Sequence, residues 1–404
     1  MNVAVIGGGA AGFFSALAVK DNYPDCEVTI YEKSPKLLSK VKVSGGGRCN
    51  VTNGTTSIKE LTAAYPRGGS ALKKAFQTFS TQHTMEWFES RGVALMTQKD
   101  NCVFPVSQDS QTIIDCFLNN ARRQKINILT GRGVDKITQE ESGLKLSFSK
   151  VDFDDEIFDK VIVATGGAPR RKGLDWQEAL NHKIEDPVPS LFTFNMPNEN
   201  VTELMGIVVE KTKTSIQGTK LKSDGPLLIT HWGMSGPSIL KLSAFGARIL
   251  KGMNYEFNLQ VNWVNEQNQD LIMQELDNIV KDHPQKMLSN YRPYLLPDRL
   301  WLYLLAKVEL PLNKKWSELG KKGLNKLLNV LAHDLYSVKG KTTFKEEFVT
   351  CGGVSLDSID FKTMESKLIS GLYFAGEIMD VDGITGGYNF QSAWTTGFIA
   401  GKLL

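Results

Sequence analysis

Gly7, Gly9 and Gly12 set out the spacing G-x-G-x-x-G directly after the apolar stretch Asn2–Ile6 and at the head of an apolar-periodic stretch that ends at Val19. That pattern suits a phosphate ester. The first glycine permits a tight turn and the second lets backbone approach a pyrophosphate. The third lets a helix pack on the preceding strand, and the helix N-terminus adds N–H donors and positive dipole. Ala11 lies inside the same turn. Glu32 stands 20 residues beyond Gly12, at the end of a second apolar strand, where a carboxylate hydrogen-bonds the ribose hydroxyls of a dinucleotide. Strand, turn, helix, strand and acid in this register predict the first half of a nucleotide-binding βαβ unit.

Further glycine segments extend the pattern. Lys42, Ser44, Gly45, Gly46, Gly47, Arg48, Cys49 and Asn50 form one, and three successive glycines beside Arg and Asn let backbone lie against a planar or phosphorylated ligand. Ala164, Thr165, Gly166 and Gly167 follow a buried strand at residues 161–164. Residues 371–377 read as strand and turn ending in Gly376 and Glu377, and Gly386, Gly387, Tyr388 and Asn389 precede a C-terminal helix. A simple NAD dehydrogenase has no need of these segments. They resemble the second and third FAD fingerprints of glutathione-reductase-like flavoproteins, in which the chain leaves the nucleotide domain, builds a second domain and returns to close over the flavin. In that pattern Glu377 contacts the ribityl or pyrophosphate region. The helix after Gly387 turns its dipole to the pyrimidine edge of the flavin, where negative charge gathers on reduction.

Residues 42–53, 350–354 and 375–393, with Thr230-His231-Trp232-Gly233-Met234-Ser235-Gly236-Pro237, together resemble the BaiN-like bacterial flavoproteins, NAD(P)/FAD-dependent oxidoreductases, along the whole chain. The resemblance implies an α/β fold: a Rossmann-type FAD-binding domain interrupted by an inserted domain of β-barrel plus helical character. The expected parts are an FAD domain at 1–189 with a β-meander near 133–163, a substrate-side insert at 190–343, and a return segment at 344–404. FAD contacts are expected at Gly7, Gly9, Ala11, Gly12, Glu32, Lys33, Lys42, Ser44, Gly45, Gly46, Arg48, Cys49, Asn50, Val134, Ala164, Thr165, Gly166, Gly376, Glu377, Asp382, Gly386, Gly387, Tyr388 and Asn389. Asp380 and Asp382 are expected to orient Arg48 or to bind flavin hydroxyls. NAD(P)H is the expected transient reductant, and a small unsaturated or carbonyl compound the expected acceptor, in a cleft against the insert.

Two side chains are candidates for the chemistry. Cys49 adjoins Arg48, which favours a thiolate, yet no second cysteine stands at disulfide-reductase spacing, and a small packed residue is the competing role. His231, in a Gly/Ser/Pro-rich loop, is the candidate general acid, against a role in shaping that loop. Ser235 lacks nucleophile-elbow spacing and is expected to have no strand–turn–helix around it. No metal-ligand spacing occurs.

Composition narrows the classes. Of 404 residues, 47 are Lys or Arg and 44 Asp or Glu, a net charge of +3 that excludes a strongly basic nucleic-acid binder. With 41% apolar and 23% charged residues the chain is globular, and no apolar run reaches the roughly 18 residues of a membrane span. Met1 leads straight into a strand without a leader pattern, and five cysteines without CxxC spacing fit a reduced, cytoplasmic protein. Residues 191–343 hold 19 Lys and Arg against 14 Asp and Glu, so a basic module interrupts an acidic one. Two other functions are compatible with these features: flavin-dependent RNA modification with the basic insert as the binding surface, and a flavin-binding sensor without turnover.

Overall fold

The computed structural model describes residues 1–150, 153–342 and 349–404. Strands β1 (Asn2–Ile6), β2 (Glu27–Glu32), β3 (Asn127–Thr130), β4 (Lys160–Val163) and β5 (Leu372–Phe374) form a parallel sheet in the order β5-β4-β1-β2-β3. β1 lies at its centre, with Val3, Ala4, Val5 and Ile6 all buried, which explains its unbroken apolar run. Helix α1 (Ala10–Asn22) is buried all round from Ala11 through Val19, where Ser15 is the one polar side chain and donates to the Ala11 carbonyl. The C-terminal helix α3 (Tyr388–Ala400) packs on it, and α2 (Ser110–Arg123) lies alongside. Phe14, Trp87, Phe117 and Trp394 meet at this junction with ring centroids 4.5–6.3 Å apart. Val134–Glu140, Gly143–Phe148 and Glu156–Phe158 pair antiparallel in a separate three-stranded sheet, with residues 151 and 152 outside the described set.

The chain divides into two compact units, 1–190 with 344–404, and 191–343. The second crossover, 343–348, lies outside the described residues. Unit two is a seven-stranded antiparallel sheet with helices. Its edge strands Asp334–Lys339 and Lys341–Thr342 are separated by Gly340 alone, so one length of chain supplies both edges and curls the sheet into a barrel. Its core stacks Trp301 on Trp316. Buried Asp334 accepts hydrogen bonds from Trp263, Tyr336 and Lys307.

Helix Gly320–Ala332 gives way to a strand in which Leu335 pairs with Glu256–Asn262. One local expectation changes. Ser235 does sit in a strand–turn–helix: Gly233–Ser235, Gly236, then Pro237–Gly252, where proline at the first helical position starts the helix.

Candidate functional site

The glycine turn divides its labour. Gly7 has φ +117°, and a Cβ there would stand 2.3 Å from the Ala164 carbonyl oxygen; one at Gly12 would stand 1.9 Å from the Gly7 carbonyl oxygen. Both positions are closed by the protein itself. At Gly9 a Cβ would meet nothing within 4 Å. Gly9 is the residue preceding α1, whose N-terminus has no side-chain cap and no acid in its first turn. An uncapped helix end beside an open glycine fits a pyrophosphate. Across the turn, Glu32 accepts from the Gly8 N–H through Oε2 and from the Ser34 N–H through Oε1, each at 2.8 Å. Each oxygen keeps a lone pair for a hydroxyl donor. Lys33 is exposed beside Glu32, Gly133 packs over it, and Val134 opens the meander. Ala164 is tied to Ile6 by its N–H, and Thr165 is exposed before Gly166 at φ +73°.

A second wall comes from Ser39–Gly47, which starts helical and breaks at Ser44, ψ 149°. Gly45, Gly46 and Gly47 are all left-handed, and Cβ atoms at the last two would point into open space. This bare backbone can take a flat ligand. Arg48 lies over the Phe104 ring at 4.2 Å and donates to the Gly45 carbonyl and to Gln108, while Lys42 donates to Gln111. The role of Cys49 as a reactive thiol needs correction. Its side chain is fully buried and burial pushes the thiol up to about 12, against a weaker opposing hydrogen bond with Ser44. It is protonated at neutral pH, and Arg48, committed elsewhere, does not ionise it.

The return segment supplies the third wall. Gly376 donates its N–H to Thr396 and approaches α1 so closely that a Cβ would sit 2.8 Å from that of Ala11. Small size is what position 11 contributes. Glu377 pairs with Lys40 at 2.6 Å and accepts from the Thr350 N–H at 2.8 Å. Asp382 also needs correction: it holds Arg67 rather than Arg48. Its oxygens accept from Arg67 Nε, Arg67 Nη2 and Ser190 Oγ, and the side chain is wholly buried, so it is not available to flavin hydroxyls. Burial pushes the carboxyl up, opposed by Arg67 and Ser190. Beyond it, Asn389 accepts from the Gly383 N–H and donates to its carbonyl, and buried Tyr65 donates to the Tyr388 carbonyl. The N–H groups of Tyr388, Asn389 and Phe390, at the start of α3, have no protein acceptor among the described residues.

The sequence had not singled out Arg67, Lys40 or Thr84, and Thr350 and Gln391 stood in segments that carry the family resemblance without a role of their own. Gln391 is fully buried and accepts from Thr52 and Thr84. Partners of Arg67, Lys40, Thr84 and Gln391 lie more than 300 positions away, where no local pattern can mark them, and Thr350 meets Glu377 27 positions on. His231 lies in unit two, exposed at the turn between Lys222–Thr230 and Gly233–Ser235, with its ring edge-on to Trp232. Among the described residues no His, Cys, Asp and Glu cluster could hold a metal, and no helix is long and apolar enough to cross a membrane.

Residues 1–403 match the family described as the HI0933-like protein Rossmann domain. The chain belongs to this family. HI0933-like proteins are FAD-dependent oxidoreductases, and the open Gly9, the uncapped α1 and the bare Gly46 and Gly47 fit that cofactor. The chain is 26% identical to a 3-dehydro-bile acid delta(4,6)-reductase of Clostridium scindens, over 99% of this chain and 98% of that one. It is 28% identical to a ribosomal RNA dihydrouridine synthase of Escherichia coli, over 97% and 95%. Its fold is similar to that of a 3-ketosteroid-delta4-(5alpha)-dehydrogenase from Rhodococcus jostii, with TM-score 0.51, 11% identity, and 99% and 96% of the two chains covered.

Proposed function

We propose that this HI0933-like protein reduces a carbon–carbon double bond conjugated to a carbonyl, with NADH or NADPH as electron donor. One observation carries this. Two relatives matched over at least 95% of both chains bear names that share that chemistry: one reduces the 4,6-unsaturation of a 3-dehydro-bile acid, and the other yields dihydrouridine, which exceeds uridine by two hydrogens across a ring double bond. FAD, when bound, supplies hydride transfer between such a donor and such an acceptor.

The chain's own part is to bind and orient. Residues 7–12 would take the pyrophosphate on backbone N–H groups, Glu32 the adenosine ribose, and Lys33 and Val134 the adenosine end. Residues 44–50 and 376–389 would flank the ring system, with the free N–H groups of Tyr388, Asn389 and Phe390 favouring negative charge there. His231 would give the acceptor its proton. No second dinucleotide fingerprint is present, so the nicotinamide donor would bind transiently.

Anaerobic addition of NADH or NADPH to the purified yellow protein tests this. Bleaching of the oxidised-flavin bands, restored by a conjugated enone, is the expected result; bands that persist with both nucleotides would overturn the donor. Reduction of uridine within RNA is favoured by one further feature, the excess of Lys and Arg in residues 191–343. RNA binding that weakens steeply with salt would support that substrate, and its absence at low salt would remove it.

A further inference from the structure

The Asn50 amide faces two backbone carbonyls, those of Thr52 and Val103. Its NH2 group must therefore point at them, at 2.9 and 3.2 Å, and its carbonyl oxygen then accepts from the Gly387 N–H at 3.1 Å. Both amide donors are consumed inside the protein. Gly387 is the residue immediately before α3, at φ +88°, and a Cβ there would stand 2.4 Å from the Thr52 carbonyl. Asn53, three residues on, donates to the Gly386 carbonyl at 3.1 Å. Thr52, between them, is anchored through Gln391 on the same helix. Residues 50–53 thus grip the one peptide group between Gly386 and Gly387 at both its C=O and its N–H, and among the described residues the next three N–H groups, of Tyr388, Asn389 and Phe390, have no protein acceptor.

We propose that Asn50 is a positioning residue: by occupying the Gly387 N–H it fixes the first turn of α3, so that the three free N–H groups favour the negative charge of a reduced flavin. This rests on the placement of the flavin edge at that helix end. A helix terminus acts on charge over one turn, so a shift of its first residues weakens the interaction with the reduced, charged form more than with the neutral oxidised form. The consequence is a change in potential rather than simply in affinity.

The test compares the two-electron midpoint potential of the FAD-loaded protein with that of Asn50→Leu, measured against reference dyes, alongside the dissociation constant of oxidised FAD. The reduced form should lose about tenfold in relative affinity, a potential lower by about 30 mV, while oxidised FAD binds within a few-fold of wild type. Should Asn50→Leu fail to fold, Asn53→Ala releases the neighbouring Gly386 carbonyl and should shift the potential in the same direction. A folded, FAD-containing variant with the wild-type potential would overturn the role of Asn50. A wild-type protein unable to hold FAD would overturn instead the cofactor placement.

Discussion

Glu32 braces the turn it faces: its Oε2 accepts from the Gly8 N–H at 2.8 Å, joining the end of β2 to the middle of the glycine loop. The same carboxylate that is positioned to take ribose hydroxyls therefore also sets the loop beneath the pyrophosphate. Glu32→Ala should weaken FAD binding by about 1.5–3 kcal/mol, roughly ten- to a hundredfold in Kd. Titration of the apoprotein with FAD, followed by flavin fluorescence, reads this directly. Unchanged affinity would deny Glu32 both parts.

Glycine substitutions should separate cofactor from fold. Gly9→Ala meets no protein atom, so the variant should keep its far-UV spectrum and apoprotein melting temperature while losing FAD. Gly7→Ala forces a side chain onto φ +117° and into the Ala164 carbonyl. It should lower folding stability by about 1–3 kcal/mol or more before any ligand is added. A Gly9→Ala protein that retains full flavin would show that the pyrophosphate lies elsewhere.

Cys49 should resist alkylation. With its thiol pushed up to about 12 by burial, the native protein should react with iodoacetamide at Cys49 far more slowly than a free thiol, and Cys49→Ala should leave turnover intact. Because the folded value lies above the unfolded one, the stability linked to this thiol is complete below the ordinary thiol value and is lost as pH rises toward 12. Rapid labelling of Cys49 at neutral pH, located by mass spectrometry, would restore it as a redox candidate.

Arg67→Leu should be among the most damaging substitutions outside the glycine turns. It leaves Asp382 buried with its cation gone and Ser190 as its remaining hydrogen-bond donor among the described residues. Breaking such a pair from one side costs about 3–5 kcal/mol. Urea denaturation of the variant gives the number, and the double variant Arg67→Leu, Asp382→Leu should recover much of the loss. A single variant as stable as wild type would mean that the pair contributes nothing to the return segment.

His182 should add an acid-side slope to the stability curve. Ser366 Oγ accepts from the N–H groups of Leu368 and Ile369 and shares a hydrogen bond of 2.8 Å with His182 Nε2. Burial pushes its pKa below the ordinary value of 6.5. The unfolded chain then binds the proton more readily, so this stability is present above the ordinary value and falls as pH drops below it. Melting temperatures between about pH 8 and pH 5 should decline less in His182→Gln than in wild type.

The nucleotide-binding half was legible in the linear chain because its determinants are local. A buried strand reads as Val3, Ala4, Val5 and Ile6, a tight turn as Gly7, and a helix as the apolar-periodic run to Val19, each through short-range sterics and periodicity. Side-chain partners were not legible in this way. Asp382 was expected beside Arg48, but it lies on Arg67, 315 positions away; Glu377 lies on Lys40, 337 positions away. Cys49 looked activated by its neighbour in sequence, whereas burial keeps it protonated. Sequence spacing specifies which backbone conformations are cheap. Which carboxylate meets which cation, and which thiol loses its water, depends on surfaces that become neighbours when the sheet and its helices pack together.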